Sequence, residues 1–154
     1  VTGGGPGIMA AANLGAKEAG GTSVGYTIKL PHSQLTNPYT TVSIDFDYFF
    51  VRKTILTFSA EAFVFFPGGY GTLDEFFDII TLIQTHKIPR VPVILVGKDF
   101  WNKFRNFIVE NLLETHHAIT HDDLNLFIIT DNLDHVIEII KAAPVSEWWK
   151  NHEH

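Results

Sequence analysis

Residues 62–75 read Ala-Phe-Val-Phe-Phe-Pro-Gly-Gly-Tyr-Gly-Thr-Leu-Asp-Glu, and their order decides the fold. Ala62 to Phe66 is an unbroken apolar run, the pattern of a strand buried on both faces. Pro67 to Gly71 is a glycine-rich turn, and Phe76 to Ile83 carries helical apolar spacing. Strand, turn and helix follow one another. The three glycines at 68, 69 and 71 let the backbone turn tightly and approach a ligand, because no Cβ intervenes. Amides in a helix's first turn point outward with the positive end of the helix dipole behind them, which suits an anion such as phosphate. Glu75 follows closely in the same helix, bringing a carboxylate to the anion site. Thr72-x-x-Glu75 also has the spacing of a capping box. Capping accounts for those two residues, though not for the glycines or Tyr70, and the two roles can coexist.

Outward from this stretch, strands and helices alternate. Gly3 to Gly7 forms a second glycine loop ahead of a small-residue helix, Ile8 to Ala19, which Gly20-Gly21 should end. Thr22 to Ile28 and Thr40 to Ile44 read as strands separated by a long loop, Leu30 to Tyr39. Asp45 or Asp47 is placed to cap a helix reaching about Ser59. Helices are expected over Thr72–His86, Phe100–Thr115 and Leu133–Ala142, with strands over Val91–Val96 and Leu126–Thr130. This alternation predicts a single α/β domain, a Rossmann-like doubly wound and mainly parallel sheet with helices on both faces. Both glycine loops follow strands and should line the rim at the strands' C-terminal ends, where such folds bind ligands. Only Val1-Thr2 precedes the first loop, and there is no initiator methionine. The expectation is a domain lacking an N-terminal strand–helix portion.

Composition narrows the function. The 154 residues are 45% hydrophobic and 18% charged, the balance of a soluble globular domain. No apolar run approaches the roughly 20 residues that span a bilayer, so no membrane partner is expected. A formal charge of −6 disfavours nucleic acid as a partner. The absence of cysteine removes disulfides, thiolate metal sites and a cysteine nucleophile, and fits a cytoplasmic protein. The eight histidines form no zinc-protease motif, and no G-x-S-x-G elbow occurs. Ile8 breaks the dinucleotide fingerprint in the first loop, and no Gly-Lys-Ser/Thr follows it. Arg52-Lys53 reads equally as a solvated helix face or as a grip on phosphate or carboxylate. Trp148-Trp149 could cover the core or join a subunit interface.

Taken in order, Gly3-Gly4-Gly5-Pro6-Gly7-Ile8-Met9, Arg52-Lys53, the stretch Pro67 to Glu75 and Thr81-Leu82-Ile83-Gln84 resemble the LOG (LONELY GUY) family. Its members are cytokinin riboside 5′-monophosphate phosphoribohydrolases, long labelled lysine decarboxylases, and the similarity runs from residue 1 to about 141. The resemblance implies that Arg52 and Glu75 form the catalytic pair. It also implies that Gly4, Gly5, Lys53, Gly68, Gly69, Tyr70, Gly71, Thr72, Asp74 and Thr81 bind a small nucleotide substrate. It further implies a homodimer or higher homo-oligomer that uses neither cofactor nor metal.

The chain departs from the family in three places. Asp74 replaces a frequent second glutamate, Ala10 replaces another, and His32-Ser33-Gln34 stands where relatives often place a glutamate near the base or sugar. The reaction implied is hydrolysis of the N9–C1′ bond of a purine nucleoside 5′-monophosphate, cytokinin-type or AMP, to free base and ribose 5-phosphate. A carboxylate such as Glu75 can stabilise the cationic sugar and activate water. Arg52 would orient the substrate and Glu75 or assist the departing base. The alternative is a non-catalytic nucleotide sensor or carrier. Decarboxylation would need a lysine that carries pyridoxal phosphate, and Lys53, beside Arg52 on a helix, is a poor candidate.

Overall fold

A computed structural model describes residues 1–29, 36–58 and 60–144. Parallel strands flanked by helices make up an α/β fold, and the chain forms two compact units, Val1–Ser59 and Ala60–His154.

In the first unit, α1 (Ile8–Glu18) leads to β1 (Val24–Ile28), which pairs in parallel with β2 (Val42–Phe46) in a register running from Val24↔Val42 to Ile28↔Phe46. Thr2 adds an isolated parallel bridge on the other side of β1, giving its amide to Val24 and its carbonyl to the Tyr26 amide. Helix α1 stops where glycine was expected to stop it. Gly20 adopts φ +74°, and the Gly20 and Gly21 amides bond the Lys17 and Ala16 carbonyls at 3.1 and 2.9 Å. The expected caps of the following helix are corrected. Asp45 belongs to β2, Asp47 holds the Lys29 ammonium at 2.9 Å, and Tyr48 is the residue immediately before α2 (Phe49–Phe58). The β2 pairing with β1 extends past Ile44 and takes Asp45 into the strand.

In the second unit, β3 (Phe63–Phe65), β4 (Val93–Leu95) and β5 (Ile128–Ile129) form a parallel sheet in the order β3-β4-β5. Helix α3 (Tyr70–Gln84) buries Phe76, Ile79 and Ile83, positions three and seven residues apart on one face. Phe76 meets Phe65, Trp101, Phe104 and Phe127 with ring centroids 5.5–6.0 Å apart. Burying such a ring contributes about 1.5–3 kcal/mol, and here it fixes α3 against the sheet. Among the described strands, β4 is the one buried throughout its length. β3 departs from the expected two-sided burial: as an edge strand of its sheet, it leaves Val64 36% exposed.

The expected helix over 100–115 is α4 (Lys98–Phe107), continued as a π-helical segment, Ile108–Thr115. A 3-10 turn, Asp122–Asn125, and α5 (Leu133–Ala142) follow. Among the described residues, no helix is long and apolar enough to cross a membrane.

Candidate active site

The turn after β3 is shaped by its neighbours. Pro67 fills the space beside Gly97, whose φ of +113° requires glycine and where a Cβ would stand 2.8 Å from the proline ring. Helix α3 begins two residues earlier than its apolar pattern suggests, with Gly69 as N-cap. Thr72 is therefore the third residue of the helix rather than its cap, which corrects the capping-box reading. Its side chain folds back over Gly68, where any Cβ would collide with the Thr72 hydroxyl and Cβ. Gly69 and Gly71 differ from Gly68: a Cβ on either would meet nothing within 4 Å. The fold does not require glycine at those two places, so the open space beside them is available to a ligand.

The helix starts in this unit contrast with one another. At α4, the Asp131 carboxylate accepts the Gly97 and Lys98 amides at 2.8 and 2.9 Å. At α5, the Asn132 side chain accepts the Asp134 and His135 amides at 3.0 and 3.2 Å. The N-cap of α3 has no side chain to offer. An external anion can take the role that Asp131 plays at α4. Glu75, the sixth residue of α3, is half-buried about 8 Å along the axis from Tyr70. Asp74 and Tyr70 are exposed, Tyr70 at 93%. Thr81 is exposed and lies roughly 16 Å along the helix from Tyr70, so α3 does not bring it to the turn.

The first glycine loop, in the other unit, is held from beneath. Gly4 has φ +72°, and a Cβ there would stand 2.6 Å from the Thr27 methyl. The Asn37 amide donates to the Gly4 carbonyl at 2.8 Å, and its side-chain nitrogen donates to the Gly5 carbonyl at 3.0 Å. The same nitrogen reaches Asn13 Oδ1 at 2.9 Å. Asn13, 1% exposed, also accepts the Thr2 hydroxyl at 2.7 Å and donates to Ser23 Oγ at 2.8 Å. Sequence reading missed this polar core. Its one signal was an asparagine inside the small-residue helix, where such a side chain is either solvated or bonded internally.

Arg52, on α2, extends to this loop. Its guanidinium carbon lies 5.7 Å from the Phe49 ring centroid, and Nη1 stands 3.2 Å from where a Cβ on Gly3 would be. Gly4, Gly5 and Arg52 are thus gathered in the first unit, with Lys53 next along the helix and half-buried. Gly68 to Thr72, Asp74 and Glu75 are gathered in the second. His32-Ser33-Gln34, Trp148 and Trp149 lie outside the described residues. Among the described residues, no three histidine, aspartate or glutamate side chains are grouped to hold a metal ion.

With this geometry in place, the comparisons with known proteins converge. A family model described as "Possible lysine decarboxylase" matches residues 9–140. A Mycobacterium tuberculosis protein named cytokinin riboside 5′-monophosphate phosphoribohydrolase is 32% identical over 130 residues, covering 81% of this chain and 66% of that protein. A Mycobacterium marinum protein of the same name is 30% identical over 131 residues, covering 84% and 69%. The rice protein of that name, LOG, is 43% identical over 58 residues, 37% of this chain and 24% of its own. The chain therefore spans about two thirds of the mycobacterial relatives and about a quarter of the rice one.

Proposed function

The chain belongs to the LOG family, matched over residues 9–140 under its older description, and from that premise we propose that it hydrolyses the N-glycosidic bond of a purine nucleoside 5′-monophosphate. The products are the free base and ribose 5-phosphate, and the substrate class is AMP or its cytokinin-type N6-modified forms. The observation that carries this reading is the turn at Gly68–Thr72. It opens α3 on Gly69, an N-cap with no side chain of its own, and leaves Gly69 and Gly71 bordered by open space, with Glu75 farther along the same helix.

In this mechanism the 5′-phosphate docks on the first-turn amides of α3, and the ribose lies toward Glu75. As the C1′–N9 bond breaks, its electron pair leaves with the base and positive charge builds on the ribose. The Glu75 carboxylate stabilises that charge and takes a proton from the attacking water, whose oxygen bonds C1′. The proton that Glu75 takes from water is released to solvent and the departing base takes one up, so that water is divided between the hydroxyl on C1′ and the N–H of the base, and Glu75 returns to a carboxylate. Arg52, whose planar guanidinium offers paired donors, orients the substrate or assists that departure. Every step uses side chains, backbone amides and water.

The test is to incubate the complete protein with AMP and with an N6-modified AMP, and to follow free base and ribose 5-phosphate by chromatography. Equimolar release is expected, with the corresponding nucleosides at least about 100-fold slower because they lack the anchoring phosphate. Tight binding of AMP that is then recovered intact would overturn hydrolysis and favour a nucleotide carrier.

A further inference from the structure

We infer that Asn37 is a positioning residue for anion binding: it sets the orientation of the Gly4–Gly5 peptide. This rests on the nucleotide reading above and adds a determinant outside the expected motifs. The Asn37 backbone amide holds the Gly4 carbonyl at 2.8 Å, and its side-chain nitrogen holds the Gly5 carbonyl at 3.0 Å. In a trans peptide the C=O and N–H point in opposite directions. Fixing the Gly4 carbonyl on Asn37 therefore turns the Gly5 N–H away from it. The next peptide has its carbonyl fixed in the same way, but its nitrogen belongs to Pro6 and has no hydrogen. Of the two peptides that Asn37 clamps, only the first presents a donor, the Gly5 amide.

Asn37 is itself over-determined. It is 7% exposed, its Nδ2 also reaches Asn13 Oδ1 at 2.9 Å, and its Oδ1 accepts the Tyr39 amide at 3.1 Å. Gly4, held at φ +72° against Thr27, cannot easily relax to another peptide orientation. A donor fixed in advance binds an anion without reorganising, which lowers the cost of binding. The guanidinium of Arg52 over Gly3 supplies positive charge two residues away.

The test compares Asn37→Asp and Asn37→Ala with the wild-type chain. Both variants retain the backbone bond to the Gly4 carbonyl but free the Gly5 carbonyl, so that Gly5 is clamped on one side only. Asn37→Asp keeps the shape and the Tyr39 contact, while Asn37→Ala removes the side chain without adding charge. Both should raise the KM and the calorimetric Kd for AMP about tenfold while kcat stays within about twofold, the signature of lost uniform binding. In the wild type, the Gly5 amide resonance should shift on titration with AMP or inorganic phosphate.

A purely structural role gives a different result. Fewer folded molecules would lower apparent kcat and leave KM and Kd unchanged, and that outcome overturns the inference. A rise in KM confined to Asn37→Asp would reduce the effect to charge repulsion and also overturn it. If wild-type protein binds neither AMP nor phosphate, the nucleotide reading falls first and this one with it.

Discussion

The side chain of Thr72 occupies the space that a Cβ on Gly68 would need. Glycine at 68 is therefore a packing requirement of the helix start, not a provision for a left-handed backbone. Gly68→Ala should force the turn or the first turn of α3 to shift, at a cost of about 1–3 kcal/mol, the range of overpacked sites. Chemical denaturation would measure it. Combining the change with Thr72→Gly should cost less than the sum of the two single changes, because the two residues share one space.

The opposite is expected at Gly71. It is the second residue of α3 and a Cβ there meets nothing. Gly71→Ala should stabilise the fold by about 0.5–1 kcal/mol, since alanine is the better helix former. It should also weaken nucleotide binding, because the methyl group would occupy the space assigned to the phosphate. A thermal melt and a binding titration on the same sample would check both. A more stable variant with unchanged affinity would remove Gly71 from the site.

For Glu75, the conservative Glu75→Gln change should leave the melting temperature close to wild type and lower kcat for base release by about 10²–10⁴, the range for a lost acid–base group. AMP binding should survive. Retained turnover in this variant would mean that another group activates the water.

Asp123 gives a pH-dependent prediction. Its carboxylate accepts the Thr120 amide at 2.7 Å and the Thr120 hydroxyl at 2.9 Å. The backbone bond, more than any other contact, holds its pKa below the ordinary carboxylate value, despite an opposing effect of burial. A carboxylate whose folded pKa is depressed adds stability that is fully present above its unfolded pKa and is lost as pH falls through the folded one. The stability gap between wild type and Asp123→Asn should thus be constant near neutrality and close progressively below about pH 4. A gap unchanged down to pH 2 would contradict the assignment.

The parts legible in sequence were those governed by local rules. Gly20 ended α1 because a left-handed residue was needed there, and the apolar run around Val93–Leu95 marked the strand buried throughout. Helix α3 was legible in its apolar face but not at its start, because Gly69 as N-cap carries no side-chain signal. The π-helical continuation after Phe107 changes pitch without changing composition.

Partners distant in the chain were the least legible. Asn13 is buried among partners 10 to 24 residues away in the chain, Thr2, Ser23 and Asn37. Asp131 caps α4 from 34 residues beyond Gly97. In the candidate site, the glycine turns and Arg52 could be marked by type and order, whereas the hydrogen bonds that hold the first loop belong to tertiary structure.

That first loop has a consequence for biosynthesis. Its clamp joins Gly5 to Asn37 across 32 residues of chain. At a translation rate of about 5–20 residues per second, the loop waits roughly two to six seconds for its clamp to be made. A nascent chain halted before Asn37 would carry the glycines without their fixed geometry. The segment meant to receive the anion thus becomes competent only when a codon 32 positions farther on has been read.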